Sequence, residues 1–192
     1  MERRNKLLWA AARVYAKYGY RGSTTRRIAD EAGVNEVTIF RQFGSKDALI
    51  HEAIATCGGG GPVADLPTIP VDPIAELTAW SEAVTQQLRS MRSMIRRCMS
   101  EREEHPELSR SSNVGPVHAS TQLGTYLSRL REHGFIEAEF DVQAASAMLI
   151  GSLFADAMGR DVMPGIFPAT PAEVYSRFLL RAIGVREYAS LS

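Results

Sequence analysis

A chain of 192 residues with 45% hydrophobic and 23% charged residues has globular composition and enough length to bury a core, which excludes a disordered chain and a fibrous repeat. Its two cysteines, Cys57 and Cys98, are too few for a disulfide framework or a four-ligand zinc site, and each reads as a small apolar residue in a reducing compartment. The formal net charge is zero, yet residues 1–50 carry ten Lys/Arg against five Asp/Glu, a net +5 that leaves −5 for the rest: a basic head, suited to a polyanion, on an acidic body.

No apolar run approaches the ~20 residues of a membrane span, and MERRNKLLWAAARVYAKYG is charged on both sides of its apolar residues, unlike a signal peptide. A cytoplasmic chain with no membrane partner is therefore expected. Leu7, Leu8, Ala11, Ala12, Val14, Tyr15 and Tyr18 recur at helical spacing and predict an amphipathic helix over 3–18, ending near Gly19. Thr24 or Thr25 caps a second helix, through Ile28, Ala29 and Ala32, that stops at Gly33. Asn35 caps a third, with Val34, Ile39 and Phe43 facing inward. Ser45 caps a fourth, with Asp47 in its first turn, that runs to about Cys57.

The glycine- and proline-rich stretch GGGGPVADLPTIPVDP cannot continue a helix, so residues 58–72 are expected to form a linker. It lacks the G-x-x-x-x-G-K-[ST] spacing of a phosphate loop. Beyond it, Asp72-Pro73 starts a helix over 73–92, and a further segment over 93–104 ends before His105-Pro106. Val117, Leu123, Leu127 and Leu130 mark a helix over 114–133 before Gly134; 141–162 and 171–184 complete the body, each behind a start signal at Asp141 or Thr170-Pro171. No period-2 run and no internal repeat occurs. The expected class is all-α, with about nine helices.

Helices of about eight residues are marginal alone, so the second and third must pack on the longer first one. Two short helices joined by a glycine turn in this way form a helix-turn-helix, whose second helix can lie in the DNA major groove. Asn35, Glu36, Val37, Thr38, Arg41 and Gln42 remain outward on it. Arg can take a guanine edge, Asn or Gln an adenine edge, and Thr or Val methyls can touch thymine; Glu36 either accepts from cytosine or points to solvent. Thr24, Thr25, Arg26, Arg27 and Lys46, with the amides of two helix N-termini, suit phosphate oxygens.

The run STTRRIADEAGVNEVTIFRQFGSKDALI, after an N-terminal amphipathic helix and before an acidic helical body, resembles the TetR family of bacterial transcriptional regulators. The likeness covers about the first 55 residues, with the Thr cap, IADEAGV, the T-x-F-R-x-F core and SKDAL in order. It implies a three-helix DNA-binding domain over 1–50 and a helical ligand-binding and dimerisation domain over 51–192. It further implies a homodimer on a near-palindromic double-stranded operator, usually a repressor, released by a small molecule. By the same resemblance Thr24 and Thr25 start the second helix, Thr38, Phe40, Arg41 and Gln42 sit on the recognition helix, and Lys46 starts the fourth. Phe40 stands where the family often has a phosphate-binding Tyr, and Gln42 where it often has His. The glycines Gly58 to Gly61 cut short the helix that usually carries motion from pocket to head.

In the body, Trp80, Val84, Leu88, Met91, Ile95, Met99, Leu123, Tyr126, Leu130 and Phe154, with Met148 and Met158, form stripes that either line a pocket for a small apolar or amphipathic effector or make core. Ala147, Gly151, Ala155 and Gly159 fall at i, i+4 spacing, and Val174, Phe178 and Ala182, beside Tyr175 and Leu179, make an apolar face. The resemblance implies that this last helix pair packs on its twin in a dimer. Dimerisation would set two recognition helices ~34 Å apart, or a multiple of that. A body that binds a protein partner and a helical enzyme are the rival readings. For the enzyme, Ala55 stands where H-E-x-x-H needs its second histidine after His51-Glu52. Glu101 and His105 are not in Glu-x-x-His spacing, and no G-x-S-x-G elbow occurs. His105, His118 and His133 read as surface or core histidines, so neither catalysis, cofactor nor metal is expected.

Overall fold

The computed structural model describes residues 3–57, 63–108, 114–160, 165 and 170–185. Its helices are α1 (Arg3–Gly22), α2 (Thr25–Ala32), α3 (Glu36–Phe43), α4 (Lys46–Cys57), α5 (Pro73–Ser90), α6 (Arg92–Ser100), α7 (Val114–Glu132), α8 (Val142–Gly159) and α9 (Ala172–Ala182), and no strand occurs among the described residues. The fold is all-α, as the periodicity predicts. The glycine run Gly58 to Gly61 lies outside the described residues.

The chain forms two compact units, one from 1–62 with 90–116 and the other from 63–89 with 117–192. Each has its own core. In the first, Leu7, Leu8, Val14 and Tyr15 of α1 pack with Ile28 of α2, Ile39 of α3 and Leu49, Ile50 and Ile54 of α4. Met91, Met94, Cys98 and Leu108 join that same cluster, so α6 is part of the head although it follows the body's first helix in sequence. In the second, Leu77 and Trp80 of α5 meet Leu123, Tyr126, Leu127 and Leu130 of α7, Leu149 and Leu153 of α8, and Leu179 and Leu180 of α9.

Gly19 does not end the first helix; it kinks it. At φ 70°, ψ −177° the residue leaves helical geometry, in a region that is essentially glycine-only, and the helix resumes to Gly22. The interruption is compensated from α6, where both carboxylate oxygens of Glu101 accept from Tyr20 N at 3.2 and 3.1 Å. Glu101 has its own backbone in the turn after α6, which therefore stops at Ser100 rather than near 104. Between α5 and α6 the chain turns at Met91, at φ −104°, ψ 3°.

The first residues of the body's fold are pinned by one carboxylate. Glu76 Oε1 accepts from Val71 N and Asp72 N at 2.9 and 3.0 Å, while its Oε2 accepts from Tyr126 OH at 2.6 Å. Asp72 caps α5 by accepting from Ala75 N at 3.0 Å, ahead of Pro73 at the first helical position, as expected. Val117, expected on the core face of α7, is 62% exposed.

α8 is 18 residues long with mean hydropathy 1.2, apolar and long enough by those measures to cross a membrane, which corrects the expectation that no such run exists. Its C-terminal turns carry a buried ion cluster: Asp156, 1% exposed, binds Arg89 at 2.8 Å and Arg160 at 2.6 Å. Three charges at one end are costly in lipid.

Candidate nucleic-acid interface

The head presents α2 and α3 through local chemistry. Thr24, not Thr25, is the cap of α2, its Oγ1 accepting from Arg27 N at 3.2 Å. Gly33, left-handed at φ 64°, closes that helix and lets Val34 N reach Ala29 O at 3.0 Å, which fixes the turn into α3. Asn35 Oδ1 accepts from Val37 N at 2.9 Å, and Ser45 Oγ from Ala48 N at 3.1 Å. Each cap satisfies an amide that helix geometry leaves open, so three helix starts are set within three residues of sequence each.

The head's basic residues sort into two groups. Arg4 pairs with Glu52, Arg13 with Glu31 and Arg21 with Glu104. Arg27 donates to Gly22 O at 2.6 Å and lies over the Tyr18 ring, its guanidinium carbon 4.2 Å from the centroid. Lys46 donates to Tyr20 O at 3.1 Å and also covers the Tyr20 ring at 4.0 Å. Arg26 and Arg41, by contrast, are exposed and take part in no ion pair among the described residues. A guanidinium left without a carboxylate on a protein surface keeps all its donors for an external anion or base edge.

On α3, Val37 is 69% and Phe40 50% exposed, beside exposed Asn35 and Arg41. Thr38 and Gln42 are half-buried, and Gln42 Oε1 is shielded from solvent without a hydrogen-bond partner. Glu36 is half-exposed, and its carboxylate accepts a hydrogen bond from the Thr25 hydroxyl. The sequence offered no signal for that pairing across the turn.

Tyr20 joins this surface to the rest of the head. Its hydroxyl donates to Asp47 at the start of α4, and its ring packs at a tilt of 43° against His105 with centroids 4.0 Å apart. Burial, then the Asp47 carboxylate, push its phenol up to about 12. One residue thus touches α4 and the turn after α6 just ahead of the Ser23–Thr24 entry to α2. Sequence reasoning did not find it, since Glu101 lies 81 positions away. Burial likewise pushes the Cys57 thiol up to about 11 and raises that of Cys98, which keeps both as inert core residues.

A family model described as bacterial regulatory proteins of the tetR family matches residues 7–53, the segment that forms α1 to α4. This segment is the DNA-binding domain of a TetR-family transcriptional regulator, with its helix-turn-helix in α2 and α3. It is 26% identical over 144 residues to the HTH-type transcriptional regulator YvkB of Bacillus subtilis, covering 75% of this chain and 76% of that one. Over 52 residues, it is 38% identical to the HTH-type transcriptional repressor KstR2 of Rhodococcus jostii, covering 27% of this chain and 26% of the relative. The fatty acid degradation regulator FadR of Bacillus halodurans has the same fold, with a TM-score of 0.69 at 19% identity and 97% and 98% of the two chains covered.

The body carries a surface of a different kind. Ala147, Met148 and Gly151 of α8 and Val174, Phe178 and Ala182 of α9 are exposed, with Ala155 half-buried, and only a third of α8 is buried. Met148 and Phe178, with Phe140, Tyr175 and Leu179, line an open apolar groove of about 260 Å³ between the two helices. The residues expected to line an effector pocket do not form one wall. Trp80, Val84, Leu123, Tyr126 and Leu130 are buried in the body core and Leu88 packs at its edge, Met91 and Ile95 belong to the head core, Met99 is 61% exposed, and Phe154 is half-buried.

Proposed function

We propose that this TetR-family regulator acts in the cytoplasm as a homodimeric repressor of a near-palindromic operator, from which a small apolar or amphipathic effector releases it. The observation that carries the homodimer is the uncovered apolar stripe on α8 and α9: exposed Ala147, Met148, Gly151, Val174, Phe178 and Ala182 favour being covered, and a self-complementary helix pair satisfies them with a two-fold partner. The repressor reading is supported by the likeness to KstR2, a transcriptional repressor, and the apolar or amphipathic effector by the adaptable methionines and aromatic residues of the body. On DNA, Asn35, Val37, Thr38, Phe40, Arg41 and Gln42 face the groove, with Thr24, Thr25, Arg26 and Lys46 toward the phosphates. Residues 1–50 supply this contact and 51–192 the regulation, with the effector entering the body beside half-accessible Leu88 and Phe154.

An effector can shift DNA binding only through different affinities for the DNA-competent state and its alternative. Fluorescence anisotropy with DNA from upstream of its own gene and a scrambled control, across a salt series and then with matched long-chain acids and alcohols, tests each part. Specific binding is expected to exceed non-specific binding by ~10³-fold or more, with release by at least one amphiphile. Equal, steeply salt-dependent binding to both duplexes would defeat the operator reading, and specific binding that no amphiphile disturbs would defeat the effector class.

A further inference from the structure

Glu36 is the first residue of α3 and accepts the hydroxyl proton of Thr25, the first residue of α2. A threonine hydroxyl has one proton to give. A phosphate oxygen is an acceptor, so Thr25 cannot donate to the DNA backbone while Glu36 holds that proton. Among the described residues no ion pair includes Glu36, and its side chain remains half-exposed. Its neighbours along α3, Asn35 and Val37, are neutral, and the exposed cation of that helix, Arg41, forms no ion pair with it among the described residues. An uncompensated negative charge therefore stands on the surface that meets a polyanion.

We infer that Glu36 is a specificity-determining residue: its carboxylate withholds the Thr25 hydroxyl from the DNA backbone and opposes phosphate approach, lowering affinity for DNA in general. Non-specific complexes consist almost wholly of phosphate contacts, whereas a specific complex also has base contacts that the charge does not touch. Repulsion of this kind costs the wrong partner more than the right one. An acid in the first turn also complements the helix dipole, but that role predicts the opposite result on mutation, namely a weakened head and weaker binding. The inference rests on α3 docking in the groove.

Two substitutions separate the effects. Glu36→Gln keeps an acceptor for Thr25 and loses the charge; Glu36→Ala loses both. The full-length chain and each variant are titrated by anisotropy against a scrambled duplex and against a duplex that the wild-type chain enriches from a random library, at several salt concentrations. On the scrambled duplex, affinity is expected to rise about threefold for Glu36→Gln and further for Glu36→Ala, with the log–log salt slope steeper by about one. The ratio of selected to scrambled affinity falls accordingly. Unchanged or weaker binding to the scrambled duplex by both variants, or an equal gain on both duplexes that leaves their ratio unchanged, overturns the inference. An unfolded head cannot produce the expected gain, so the sign protects the test from misfolding. If the wild-type chain enriches no sequence and binds neither duplex, the groove docking fails first and takes this role with it.

Discussion

In the head, the exposed residues of α2 and α3 include Arg26 and Arg41, which have no carboxylate among the described residues; in the body, the exposed residues of α8 and α9 include the large apolar Met148, Val174 and Phe178, at 61, 52 and 69% exposure. Both surfaces leave an interaction unspent, but of opposite kinds. A bare guanidinium gains most from a phosphate or a base edge, and its gain falls with salt; uncovered apolar area gains from another apolar face, with little salt dependence. The two units of one chain therefore ask for chemically distinct partners, which is the division of labour expected of a protein that reads DNA with one part and assembles through the other.

The strongest way to break that contrast is to give the body surface the head's character. Phe178→Glu, placed in the apolar groove, is expected to convert a dimer to a monomer in sedimentation velocity and to weaken binding to a two-half-site duplex by about 100-fold or more, because the second half-site is no longer bound intramolecularly. A variant that remains dimeric with full affinity would show that the dimer forms elsewhere.

Next in size is the internal joint of the head. At Gly19 any other residue must adopt a glycine-only backbone conformation, and an added Cβ runs into the Glu101 carboxylate that holds Tyr20 N. Gly19→Ala is expected to cost about 1–3 kcal/mol, read as a fall of roughly 3–10 °C in the thermal midpoint. No change would mean that the kink is absent in solution.

What sequence reasoning recovered follows the range of the forces involved. Thr24, Gly33, Asn35 and Ser45 act on amides or carbonyls within four residues of themselves, so the starts of α2, α3 and α4 and the turn between α2 and α3 were readable in the chain. Gly19 shows the limit of the same logic. Glycine signals a helix end when nothing else satisfies the freed amide, and here a carboxylate from distant sequence does. The stripe from Trp80 to Met99 shows another: its period continues across Met91, but the backbone turns there, so Trp80 and Val84 enter one core while Met91 and Ile95 enter the other. Periodicity reports which side of a helix is apolar, not which unit covers it. The pairing of Thr25 with Glu36 was invisible for a similar reason, being set by the angle between two helices.

Arginine substitutions sharpen the head's side of the contrast. Arg41→Ala is expected to cost about 1–3 kcal/mol of specific affinity and to relax preference at one base position, while Arg26→Ala weakens all sequences alike and reduces the salt slope by about one. Arg13→Ala, removing a residue already paired with Glu31, serves as the control and should move neither quantity appreciably. A control that weakens binding as much as Arg41→Ala would make total charge, rather than uncommitted charge, the relevant property.

The smallest effect concerns a pair already satisfied. Hydrogen bonding from Arg4 holds the Glu52 carboxyl below its ordinary value of 4.5, partly opposed by burial. A carboxylate whose pKa is depressed in the folded state contributes its stability above the unfolded value and loses it as pH falls through the folded one. Both side chains are well exposed, at 43 and 37%, so solvent screening limits the contribution to about 0.5 kcal/mol or less. The thermal midpoint of Glu52→Gln is therefore expected to lie slightly below that of the parent at pH 6–7 and to converge with it below pH 4. High salt should shrink the difference as well, because the pair is exposed. A variant more stable than the parent at pH 6–7 would mean that Glu52 meets a negative neighbour rather than Arg4, and that Arg4 is less committed to its carboxylate than the geometry implies.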